Sequence, residues 1–270
     1  MVKYLFLILF VFVMVGIGLY SRKKVSDIRD FFLGGRKMGA WISAFAYGTS
    51  YFSAVIFIGY AGSIGWSFGI SSIWIGIGNA LIGSMLAWIV LAKRTRKMTH
   101  EMDASTMPEF LEKRYDSKYL KIVTAVITFV FLVPYSASVY KGLGYLFANT
   151  FGMPIEYYTY CMLAMAVLTG IYLLLGGYVA TAINDFVQGI VMIIGIIFML
   201  YFVLTHPAVG GISAGFSKLA NIPEVGSDLV SGFSGMPWNL LSLVILTSLG
   251  AWGLPQMVHK FYAIENDKEI

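Results

Sequence analysis

Residues Ser43–Gly62 read SAFAYGTSYFSAVIFIGYAG, a span long enough to cross a bilayer yet interrupted near its middle by glycine and hydroxyl residues. A second span, Leu240–Val258, reads LLSLVILTSLGAWGLPQMV, with Gly250, Gly253 and Pro255 crowded at the end of an apolar run. Unwound backbone inside a bilayer has no water to bond, so it persists only where protein buries it or where it lines a ligand cavity. Secondary transporters build ion and substrate sites in this way. A glycine-rich packing face or a proline kink accounts equally well for either span taken alone. Their pairing favours a site.

Composition sets the class. Hydrophobic residues make up 58% of the 270 and charged residues 12%, which identifies an all-α integral membrane protein rather than a soluble domain. Length and periodicity give seven candidate spans, at about residues 2–20, 41–64, 69–92, 120–148, 155–175, 178–204 and 238–258. No stretch alternates as a barrel strand does. The first span resembles a secretory signal only superficially: its apolar run is too long, its stronger charge cluster follows it, and no small-x-small cleavage site is present. It reads as a retained helix.

Sixteen of the 19 Lys and Arg residues fall after the first, third and last spans. The positive-inside rule then predicts a multi-pass protein of the cell membrane with its N-terminus outside and the loops at 21–40 and 93–119 inside. The net charge of +5 reports topology. Nucleic acid is excluded as a partner because the basic residues are split among membrane-flanking loops with interspersed acids; the bilayer itself is the expected surrounding. Cys161 is the only cysteine, so no internal disulfide can form. His100, His206 and His259 have no metal-ligand spacing, and no nucleophile–base–orienter set or phosphate loop appears, so neither an enzyme nor a resident cofactor is expected. The glycine pairs at Gly34 and Gly176 sit at loop-to-helix junctions, where backbone freedom or close packing accounts for them. The loop from Thr205 to Pro237 is long and rich in Gly and Ser, with room for a short helix but no periodic signal for one.

At Thr106 the chain reads TMPEFLEKRYDSK, in which Thr106 and Pro108 suit an N-cap and an early helical proline, and Glu109 and Glu112 suit the positive end of a helix dipole. With FFLGGRKMG at Phe31, FGMP at Phe151, GGYVATAINDFVQG at Gly176 and GAWGLPQMVHKFYA at Gly250, the whole chain 1–270 resembles the sodium:solute symporter family. The resemblance implies a leucine-transporter-like fold of two inverted five-helix repeats. Residues 2–20 would be an extra leading helix, the next five spans the first repeat, and the last span the opening helix of the second. The chain is thus expected to be the N-terminal part of a transporter, with about seven transmembrane helices and no coupled transport by itself.

The resemblance also implies a site. Sodium, the expected coupling ion, would take backbone carbonyls of Thr49 and Phe52 at the first break, joined by hydroxyls of an eighth core helix outside these residues. Oxygens freed by unwinding are suitable replacements for the hydration shell of a hard cation. Substrate would sit beside the same break, near Tyr51, Ser53, Ala54 and Tyr135, faced by Trp252, Gly253, Leu254 and Gln256. Tyr51 and Trp252 read equally well as packing aromatics. Tyr51 stands where proline carriers have an acidic residue and Leu254 where many have glutamine, which argues against proline. Ile56 stands where sugar-transporting relatives have glutamine, which argues against a sugar.

Asp185 lies about seven residues, roughly 10 Å, inside the sixth span at helical rise. A carboxylate at that depth needs a partner, water or a function. The resemblance places it on the inner path of the sodium ion; a carboxylate at the helix N-terminal dipole is the other reading. Lys141 either snorkels to the outer surface or faces the cavity near Tyr135. The expected function is sodium-coupled import of a small polar or anionic organic solute, such as an amino acid or monocarboxylate. The other class compatible with these residues is a symporter-like membrane sensor fused to a signalling domain.

Overall fold

A computed structural model describes residues 2–52, 60–233 and 237–270, and among these residues the chain is helical with no strand. Helix α1 is Val2–Arg22, α2 Ile28–Leu33, α3 Ala40–Tyr51, α4 Ala61–Phe68, α5 Ile73–Gly78, α6 Lys93–Glu101, α7 Met107–Tyr115, α8 Lys118–Phe151 and α9 Tyr158–Thr205. The remainder are α10 Ile212–Ala220, α11 Gly226–Leu229, α12 Pro237–Gly250 and α13 Pro255–Tyr262. Between α5 and α6 the helical path continues with the wider π winding, over Asn79–Leu86 and Trp88–Ala92.

Among the described residues, four helical runs are long and apolar enough to cross a membrane: α1, Ala61–Glu101, α8 and α9. A fifth is Trp238–Gly253 with Pro255–Tyr262, bent by 48° at the break between them. The expected span at 41–64 falls partly on residues 53–59, outside the described residues. The expected fifth and sixth spans are joined in α9. Its 48 residues would reach about 72 Å if straight, more than twice a hydrocarbon core. The run is broken at Gly177, with φ 54° and ψ −144°. Only glycine tolerates those angles, and a Cβ there would lie 2.6 Å from the Phe31 carbonyl oxygen. Gly69, with φ 54° and ψ −135°, makes a comparable turn after α4.

The three basic loops meet at one end of the bundle. Arg36 donates to the carbonyls of Thr99 at 3.2 Å and Ala104 at 2.9 Å, and Arg29 pairs with Asp103 at 2.7 Å. Arg96 reaches the Ile264 carbonyl at 3.0 Å and Asp267 at 2.8 Å. Met38 and Ile264 form a short parallel bridge, and a Glu269 carboxylate oxygen accepts from Ala40 N at 2.8 Å, capping the first turn of α3. Beside them, Thr106 caps α7 by accepting from Glu109 N, while Glu109 accepts from Ser105 N. The loop after α9 contains α10 and α11, with Trp74 Nε1 donating to the Gly232 carbonyl at 2.8 Å.

Candidate functional site

Helix α3 ends where the sequence places its interruption. Tyr51 is its last residue, and Phe52 leaves helical geometry at φ −86°, ψ 68° while its N–H still bonds Gly48 O. The facing break lies between α12 and α13: Ala251–Gly253 forms a tight 3₁₀ turn, Leu254 is extended at φ −70°, ψ 124°, and Pro255 opens α13. Proline suits that first position, since it has no N–H to leave unpaired.

A cavity of about 430 Å³ is lined by both break regions, with Thr49, Ser50 and Phe52 from α3 and its end, Gln256 from α13, Tyr135 from α8 and Gln188 from α9. Four of the sequence candidates thus share one space: Thr49, Phe52, Tyr135 and Gln256. The negative end of the α3 dipole and the positive end of the α13 dipole both abut it. Thr49 Oγ1 donates to Phe45 O and Ser50 Oγ to Ala46 O, each at 2.8 Å. A hydroxyl whose proton is spent on its own helix turns lone pairs outward. The amide of Gln256 is buried, and neither its oxygen nor its nitrogen has a hydrogen-bond partner among the described residues.

The remaining candidates have other places. Tyr51 is turned into the aromatic core: it is buried, packs with Tyr47, Met257 and Phe261, and donates from its hydroxyl to Thr247 O at 2.8 Å. Trp252 Nε1 donates to Ile82 O at 3.0 Å, and Leu254 packs against the same core. Gly253 is exposed at the 3₁₀ turn, and a Cβ added there meets nothing within 4 Å. Ser53 and Ala54, like Ile56, lie outside the described residues. Lys141 is exposed, with its ammonium 5.9 Å from the Tyr145 ring centre.

Asp185 has a partner that the sequence reading assigned elsewhere. Lys260, counted there among loop cations, is buried in α13 and donates to Asp185 Oδ2 at 3.2 Å. Its ammonium also sits 5.4 Å from the centre of the Tyr178 ring. Helical spacing links this pair to the cavity. Gln188 lies three residues beyond Asp185 on α9, and Gln256 lies four before Lys260 on α13, so each ion-pair member is one turn from a cavity amide. Gln188 was missed by sequence reasoning; its one available signal is a second polar residue on the Asp185 face of an apolar helix.

The sequence model of the sodium:solute symporter family matches residues 31–270. The osmoregulated proline transporter OpuE of Bacillus subtilis (strain 168) is 33% identical over 260 residues, covering 95% of this chain and 51% of that protein. Sodium/proline symporter 2 of Staphylococcus saprophyticus is 31% identical, covering 98% of this chain and 50% of that protein. The chain therefore spans about half the length of the relatives it matches. Among solved structures, a substrate-bound, outward-open Na+-coupled sialic acid symporter superposes with a TM-score of 0.78 at 18% identity, covering 100% of this chain and 55% of the other. At that identity the likeness is one of fold.

Proposed function

The chain belongs to the sodium:solute symporter family, a family of membrane transporters, and on that premise we propose that it forms the first half of a symporter. In this reading it couples sodium to the import of a small polar or anionic organic solute by alternating access. The observation that carries the proposal is Gln256, a buried amide without a partner among the described residues, at the wall of a cavity shared by two helix breaks. An unmatched buried amide costs about 1–3 kcal/mol, and a polar solute that bonds it removes that cost. The carbonyl end of α3, with the outward lone pairs of Thr49 and Ser50, suits a cation. The N-terminal end of α13 suits a carboxylate, which supports an amino acid or monocarboxylate as solute. Thr49 and Phe52 supply part of the sodium shell; helices outside these residues supply the rest. Sodium binding favours the open state and solute binding then permits closure. The basic end faces the cytoplasm.

The relatives named for proline make L-proline the first solute to test, although Tyr51 and Leu254 differ from what proline carriers have. Uptake of radiolabelled L-proline, other amino acids and monocarboxylates is measured in proteoliposomes with an inward sodium gradient and with potassium in its place. Gln256→Ala is expected to raise KM by about fivefold to a hundredfold, the range for losing a bond to a buried amide. Gly253→Ala, where an added Cβ meets nothing within 4 Å, serves as the control and is expected to leave uptake and insertion intact. Uptake indifferent to sodium and to Gln256→Ala refutes the proposal.

A further inference from the structure

Residues Asn79–Leu86 are wound as a π-helix, and this segment bonds Tyr47 of α3 and Trp252 at the second break. Such segments are rare and collect at functional places. Two consecutive carbonyls of the segment accept side-chain donors from two other elements. Tyr47 Oη of α3 donates to Gly83 O at 2.9 Å, and Trp252 Nε1, from the turn between α12 and α13, donates to Ile82 O at 3.0 Å. At the segment's first residue, Asn79 Oδ1 accepts from Ser248 Oγ at 3.0 Å and lies 2.8 Å from Thr247 Oγ1, whose single proton it shares with the equally near Leu243 carbonyl. Asn79 and Ser248 are buried, so these are bonds in a low-dielectric place where misplacement leaves polar atoms unmatched. Tyr51 Oη closes the circuit by donating to Thr247 O. The approach is close: a Cβ on Gly83 would fall 2.2 Å from Tyr51 Oη, and one on Gly78 would fall 2.5 Å from Val244 Cγ1.

We infer that this π-helix sets the register of the two breaks against each other, with Asn79 as its positioning residue. Asn79 does not line the shared cavity. It acts through Thr247 and Ser248, which fix where α12 ends and therefore where Gln256 stands relative to Thr49. The hydrogen bonds are directional where the surrounding apolar contacts are not, so they select one rotation and one height of α12 among several that pack comparably. Only the uptake part of the test below rests on the proposed transport.

The test uses cysteines at Thr49 and Gln256, with Cys161→Ser as background, and a short bifunctional thiol reagent on the full membrane-embedded protein. Asn79→Gln keeps an amide acceptor one methylene further out, adds no charge, and is expected to slow cross-linking less than the triple variant does. The triple variant Asn79→Leu, Thr247→Val, Ser248→Ala replaces both sides of the network with apolar groups, a change that leaves folding nearly neutral. It is expected to insert and melt normally while cross-linking about fivefold to tenfold more slowly, the change in an equilibrium that one net hydrogen bond sets. With native Thr49 and Gln256, the same variant is expected to raise the KM for L-proline and leave the amount of folded protein unchanged. Native-rate cross-linking in the triple variant overturns the inference. So does failure of that variant to fold, because the network would then serve stability rather than register. If the parent shows no L-proline uptake, the transport reading for that solute fails while the cross-linking result still decides the inference.

Discussion

Asp185→Asn should do more than remove a negative charge, because it strands a cation. Lys260 and Asp185 are 3.2 Å apart with side chains 8% and 26% exposed. At an effective dielectric of 20, unit charges at that separation attract by about 5 kcal/mol gross, most of which offsets their desolvation. Removing one partner leaves the other buried and unmatched, at about 3–5 kcal/mol. Replacing both by groups of similar size removes charge and desolvation together and is nearly neutral. For a chain of this size, each kcal/mol moves the melting midpoint by about 2–4 °C. Asp185→Asn is therefore expected to lower the midpoint of detergent-purified protein by about 6–20 °C, and Asp185→Asn with Lys260→Met to recover most of it. Uptake against sodium concentration is the companion assay. If Asp185 lies on the ion path, the double variant regains stability but keeps a weakened sodium dependence. A single variant that melts with the parent, or a double variant that recovers nothing, refutes the reasoning. An unchanged sodium response removes Asp185 from ion transit.

His100 predicts a pH dependence at the basic end. Burial, then the cations of Arg36 and Arg96, lowers its pKa against smaller opposing effects of Asp267 and Asp103. The folded state then binds fewer protons than the unfolded chain, so stability is fully present above about pH 6.5 and falls as pH drops below it; melting midpoints from pH 8 to 5 should show this, and His100→Gln should flatten the slope. Gly177→Ala is expected to cost about 1–3 kcal/mol for the backbone angles alone, plus the clash with Phe31, and to lower the yield of folded protein. Gly170→Ala, whose Cβ meets nothing within 4 Å, serves as its control and should be neutral. A cysteine at Lys97 should resist an impermeant thiol reagent added from outside; strong labelling there refutes the proposed orientation.

Local signals were legible and long-range ones were not. The breaks near Tyr51 and Pro255, the cap at Thr106 and the glycine turn at Gly177 each express a residue's own backbone chemistry, so they read directly from sequence. The gathering of the basic loops followed from counting Lys and Arg by span. The Lys260–Asp185 pair joins residues 75 apart in the chain, and Lys260 carries the same letter as the loop lysines with which it was grouped. Whether Tyr51 faces a cavity or the core depends on the rotation of α3, which an apolar helix without a marked polar face does not declare. The π winding from Asn79 meets its partners Tyr47, Trp252 and Thr247 only in the folded chain, since none of them is local.

The carboxylate that caps α3 carries a consequence for the order in which the protein is made. Ala40 and Glu269 are 229 residues apart, so at about 5–20 residues per second roughly ten to fifty seconds separate their synthesis. During that interval α3 is already in the bilayer without its cap, and Met38 lacks its backbone partners at Ala263 and Glu265. The contacts of Met38 and Ala40 with residues 263–269 can therefore form only late, whereas those of Arg29 and Arg36 with Thr99, Asp103 and Ala104 can form much earlier. A ribosome halted before Glu269 would hold the protein with α3 uncapped, as a separable intermediate.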